Sequence, residues 1–168
     1  MTLSMYQASI PVFIRGLSNL SAILDQAAAY AESKKIEPNV LLTARLAPDM
    51  FALTRQVQIA SDSAKGCAAR LAGIEVPSFA DTETTFAELQ ARIAKTVAFL
   101  QSVDASQING SEERTVTIKL RDQDVSWPGQ TYLLAFVLPN FYFHLTTAYN
   151  ILRHNGLAIG KTDYLGSI

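Results

Sequence analysis

Apolar residues recur at steps of three and four along four long stretches of the chain, and each stretch predicts an amphipathic helix. In residues 3–33, Tyr6, Ile10, Phe13, Leu17, Leu20 and Leu24 fall on one face, with Thr2 or Ser4 as the cap. Pro11 inside this pattern either kinks the first turns or marks a later start. Residues 34–47 are less regular: Glu37-Pro38 is a break, and NVLLTARL suits a short helix. A second long helix is expected to open at Pro48, a residue suited to a first turn, and to run to about Leu71. Leu53, Val57, Ala60, Ala64, Cys67 and Leu71 face inward, and Gly73 then Pro77 end it. The third helix starts at Thr85, where Thr85-x-x-Glu88 is a capping box, and ends near Val103. Its stripe is Phe86, Leu89, Ile93, Val97 and Leu100.

From 104 to 129 the period changes. Val116, Ile118 and Leu120 alternate with polar neighbours, as do Val125 and Trp127, which predicts a small β-hairpin in a non-helical stretch. Helical spacing returns from about Gln130 to Asn155 and stops at Gly156, with Pro139 expected to kink the helix in its middle. The first half of this fourth helix is apolar almost all round, so it is expected to be deeply buried or to form a dimer face. On the second alternative, Asp at Phe141 or Phe143 should give monomers. The tail LAIGKTDYLGSI should lie along the surface of the helices. The expected fold is therefore all-α: an antiparallel four-helix bundle with a hairpin between its third and fourth helices, one domain over residues 1–168.

Composition narrows the partners. Of 168 residues, 49% are hydrophobic and 17% charged, and the net charge is −1. That is a globular composition with apolar surface to spare for a subunit interface. Lysines and arginines are scattered, so no basic footprint for nucleic acid is present. No run approaches a membrane span, and the N-terminus lacks a signal-peptide pattern, which together give an expectation of a cytoplasmic protein without a membrane partner. One cysteine excludes a disulfide framework and a cysteine-based zinc cage.

Candidate chemistry centres on His144, set among aromatic and apolar residues. Asn140 precedes it by one helical turn on the same face. On the second helix, Gln56 lies on the apolar stripe and Asp49 stands two turns earlier, where it also suits the positive end of the helix dipole. These four are the polar residues placed inside on the two helices, and they define a candidate ligand pocket. His144 is either a satisfied core histidine or a ligand for a small molecule or metal. His154 reads as a helix-terminal residue, and Cys67 as a small core residue.

The segment HLTTAYNILRHNG resembles the end of the last helix in the DinB/YfiT-like superfamily of four-helix bundles. Together with YQASIPVFIRGL, RLAPDMFALTRQVQIA and PNFYFHLTTAYNILRHNG, nearly the whole chain is similar to one subfamily of that group, a domain of unknown function. The resemblance implies a bundle with three metal-binding histidines, one from the second helix and two from the last, four residues apart. His144 matches the second of the pair, and the first falls at Asn140. The second helix has no histidine, so Asp49 or Gln56 would have to substitute, and Thr147 stands where the superfamily carries a glutamine. Two functions follow as expectations. One is a non-catalytic or small-ligand-binding bundle, homodimeric through apolar helix faces, with a degraded metal site. The other is a divalent-metal (zinc or nickel) hydrolase or thiol-dependent transferase using His144 as a ligand.

Overall fold

The computed structural model describes residues 3–167, so the expected Thr2 cap lies outside the described residues. Helix α1 spans Ile10–Lys34, later than residue 3. Pro11 explains the difference: its missing N–H is harmless only in a first turn, so the helix begins where the proline costs no hydrogen bond. Ser4 caps the preceding turn instead, its hydroxyl accepting from Gln7 N while Gln7 Oε1 accepts from Ser4 N. Short α2, Pro38–Leu42, follows, as the Glu37-Pro38 break suggested.

Helix α3 covers Leu53–Ala72, not Pro48–Leu71. The chain before it closes its own turn, Met50 N to Ala47 O, and is tied back to α2. Leu53 N donates to Ala44 O and Thr54 Oγ1 to Leu42 O, so Ala52 arrives extended and becomes the cap. Asp49 therefore sits exposed in a loop turn, not at the helix N-terminus, whose first turn carries no acidic residue. At the other end Gly73 adopts φ +70°, and Ile74 N reaches Ala69 O in a Schellman closure.

Helix α4, Phe86–Gln101, opens at Thr85 as expected. Thr85 Oγ1 accepts from Glu88 N at 3.2 Å, and Glu88 Oε2 accepts from Thr85 N at 3.0 Å. The stretch after it is not wholly non-helical: α5, Ala105–Ile108, forms because Gln107 Oε1 reaches back to Asp104 N and Ile108 is fully buried. The hairpin follows, β1 Thr115–Leu120 against β2 Gln123–Pro128, antiparallel, with Val116 opposite Trp127 and Ile118 opposite Val125. Its inner face packs on the helices through Val116, Ile118 and Trp127.

The last long helical stretch has three parts: α6, Gly129–Thr131; a π-helical segment, Tyr132–Val137; and α7, Leu138–His154. Gly129 is required by crowding, since a Cβ there would strike the Ser111 carbonyl. Pro139 does not act at mid-helix but stands in the first turn of α7. It cannot donate to the carbonyl of Ala135, and the preceding turn widens, with Leu138 N reaching Leu133 O five residues back. The tail carries α8, Lys161–Leu165, laid on α1 as expected: Arg15 donates to Leu165 O and Asn19 to Tyr164 O.

The architecture is mostly helical with one two-stranded hairpin. Helix α3 packs on α4 and α7, and α1 on α4, α7 and α8. A continuous core runs between them, with Phe13 edge-to-face on Phe141 at 5.0 Å. Among the described residues no helix is long and apolar enough to cross a membrane. The last helical stretch is amphipathic rather than buried all round: Phe141 is 0% exposed while Phe143 is 55% exposed.

Candidate functional site

His144 and Gln56 meet across the α3–α7 contact. His144 is 7% exposed and Gln56 1%. His144 Nδ1 lies 2.7 Å from Gln56 Oε1, and Gln56 Nε2 donates to Phe51 O at 2.9 Å. The second bond orients the first. With the amide nitrogen committed to a carbonyl, Oε1 faces His144 as an acceptor, so Nδ1 carries the proton and Nε2 the lone pair. Burial strips water from the ring, and the Arg55 charge adds repulsion; together they pull the His144 pKa down to about 4. The Phe143 ring stands edge-to-face against it at 5.2 Å. The imidazole is therefore neutral at ordinary pH, with one nitrogen in use.

Asn140, one turn earlier, is directed elsewhere. Its Nδ2 donates to Ser63 Oγ at 2.8 Å, and Ser63 Oγ donates to Ile59 O. Asp49 stays in its exposed turn. Of the four sequence candidates, the fold brings His144 and Gln56 together, sets Asn140 beside them with a different partner on α3, and leaves Asp49 in the loop. They are also not the sole polar residues inside: Gln58, Ser61 and Lys65 of α3 are buried too. Cys67 is fully buried and its thiol is pushed far above the usual range by desolvation, which makes it inert core. His154 is exposed in the last turn of α7.

As a metal centre this donor set does not fit. Transition metals favour imidazole, thiolate or carboxylate, and amides ligate poorly. Gln56 is tied at both ends of its amide, and Asn140 is tied at its nitrogen. Among the described residues no group of three or more His, Cys, Asp or Glu could hold an ion.

Beside the pair runs a groove of about 480 Å³ between α3, the π-helical segment and β1, with Arg55, Ser63, Arg70, Tyr132, Phe136 and Asn140 among its walls. Arg55 pairs with Asp81, and Asp62 with Lys65 and Arg92. Sequence reading had missed this groove. Its signal was a second periodicity on α3: Arg55, Ile59, Asp62, Ser63, Gly66 and Arg70 also recur at three and four, but on the polar face. Also missed was Arg92, whose side chain is 1% exposed among the carboxylates of Asp62, Asp81 and Glu83.

Comparison with known proteins bears on the whole of this architecture. Residues 5–165 match the model of a family described as Domain of unknown function (DUF1993). The structure is similar to the crystal structure of a DinB family member protein from Shewanella denitrificans. The TM-score is 0.89 at 44% sequence identity, over 97% of this chain and 92% of that one. No curated protein matches.

Proposed function

The chain belongs to the DinB-like superfamily, in the family described as Domain of unknown function (DUF1993), and from that premise we propose that it is a non-catalytic small-ligand-binding protein with a degraded metal site. In this reading its four long helices form an antiparallel bundle, and it works as a cytoplasmic homodimer. The observation that carries the proposal is the relay from His144 Nδ1 to Gln56 to Phe51 O. It puts an amide, hydrogen-bonded at both ends, against the one good ligand. The groove alongside falls within the usual range of ~300–1,000 Å³ for small-ligand sites.

The exposed aromatic face of α7, Tyr142 at 42% and Phe143 at 55%, supports the homodimer. A second reading has one observation in its favour. The proton on Nδ1 leaves the His144 Nε2 lone pair available, as a ligand in a divalent-metal hydrolase or thiol-dependent transferase requires.

Metal analysis of untagged protein, purified without chelators or a nickel column, separates the two. The proposal expects no stoichiometric metal and no uptake of added zinc or nickel. Stoichiometric zinc or nickel would make the enzyme reading the stronger. Ligand binding is checked by chemical-shift mapping with a fragment library: shifts should gather on Arg55, Ser63 and Asn140, and a library that moves none of them removes the ligand part of the proposal.

A further inference from the structure

Arg70 stands in the last turn of α3, half-buried, at one end of the groove. Its guanidinium folds back over Gly66, where a Cβ would run into Nη1. Glycine weakens a helix interior, so Gly66 goes against local preference and opens a seat for the guanidinium. Every ion pair among the described residues is made by Arg55, Lys65 or Arg92, and none by Arg70. One side-chain acceptor meets it, Tyr132 Oη at 3.3 Å, although an arginine carries five N–H donors. Tyr132 accepts in that bond, and its own proton has no acceptor among the described residues. Burial pushes this phenol up to about 12, so it stays a donor. The spare N–H donors of Arg70 and the hydroxyl proton of Tyr132 thus meet at the groove, beside apolar Phe136, Ile118 and Leu120. The one carboxylate nearby on α3, Asp62, is already paired with Lys65 and Arg92.

We propose that this end of the groove binds a small organic carboxylate with an apolar body, its oxygens on Arg70 and the Tyr132 hydroxyl and its hydrocarbon against Phe136, Ile118 and Leu120. The proposal rests on the small-ligand reading above and names the ligand class. A planar two-oxygen acceptor matches one guanidinium fork and one neutral hydroxyl.

The test uses the full chain and 4-phenylbutyrate, with 4-phenylbutan-1-ol as the uncharged comparison. Trp127, the one tryptophan, stacks on Tyr132 at 6.2 Å and Phe136 at 5.3 Å, so its fluorescence reports occupancy. The acid should give a saturable change and bind about tenfold or more tighter than the alcohol, since hydrogen bonds to a charged group carry the difference. Arg70→Gln should remove that advantage, and Gly66→Ala, which displaces the guanidinium, should weaken it. Tyr132→Phe keeps the ring and should lower affinity several-fold, which covers the case of an Arg70 variant that does not fold. No saturable response overturns the proposal. Acid and alcohol binding equally, or Arg70→Gln retaining full affinity, overturns the carboxylate assignment while leaving the small-ligand reading in place. The metal analysis bears on that reading alone.

Discussion

His144 donates from Nδ1 to Gln56 Oε1 at 2.7 Å, and the same glutamine is held from behind by Phe51 O at 2.9 Å. One buried amide therefore sets both the tautomer and the position of the imidazole. Gln56 is also one of the two residues, with Asp49, that would have to stand in for the second-helix histidine that the superfamily resemblance implies. Four predictions depend on this and on the packing around it.

Stability should fall in mild acid because of His144. The unfolded ring protonates near its ordinary 6.5, the folded ring near 4. Between those values the unfolded chain binds more protons, so unfolding becomes easier as the pH drops, by at most about 1.4 kcal/mol per pH unit. The loss begins below about pH 6.5 and levels off below about pH 4. Urea unfolding of the wild type and of His144→Gln at pH 7 and pH 4.5 checks this. The wild type should lose about 1–3 kcal/mol more than the variant over that interval. Equal losses would mean that the ring is not held neutral.

Imidazoles at 56 and 140 should create a three-histidine metal site with His144. Gln56 already touches His144, and Asn140 precedes it by one turn on the same helix. The double variant Gln56→His, Asn140→His places three histidines on the α3–α7 contact, a donor set suited to zinc or nickel. Stoichiometric uptake, measured by mass spectrometry of the eluted metal, is the expected result. An empty double variant would show that backbone spacing, rather than ligand identity, bars the ion.

Phe143→Asp should yield folded monomers by analytical ultracentrifugation, because Phe143 is 55% exposed and gives up only its edge contact with the His144 ring. Phe141 no longer belongs in this test. It is 0% exposed and packed on Phe13, so Phe141→Asp would bury an unpaired charge and unfold the protein. A Phe143→Asp variant that remains dimeric would place the interface elsewhere.

Arg92→Ala should destabilise the fold by about 2–3 kcal/mol in denaturant titrations. The reason is that it leaves Asp62, Asp81 and Glu83 without their shared cation. The loss stays below the ~3–5 kcal/mol of a fully buried pair, because the Asp62 and Asp81 side chains are 37% and 38% exposed and keep Lys65 and Arg55 as partners. A change under about 0.5 kcal/mol, the range of ordinary surface substitutions, would show that the cluster is structurally idle.

Local signals were readable where one residue and its near neighbours settle the outcome. The Thr85–Glu88 capping box, the Gly73 terminus and the alternating hairpin are of this kind, since each depends on backbone groups within a few positions. Helix starts near prolines were less readable. Pro48 and Pro139 both suit a first turn, yet Pro139 stands in one and Pro48 does not, because long-range bonds from Leu53 and Thr54 hold residues 43–52 as a loop.

The amino-acid sequence by itself determined the helical period, the Thr85 cap, the Gly73 and Gly156 terminators, the hairpin, and the shortage of imidazole and thiolate ligands. Tertiary structure decided which polar residues meet. Period on one helix says which side chains share a face, but not which residue of another helix stands opposite. Thus His144 could be placed inward from sequence, while its partner, the diversion of Asn140 to Ser63, and the donors of Arg70 and Tyr132 at one groove were settled by packing. A buried hydrogen bond depends on register across elements far apart in the chain, and that register is a property of the assembled core.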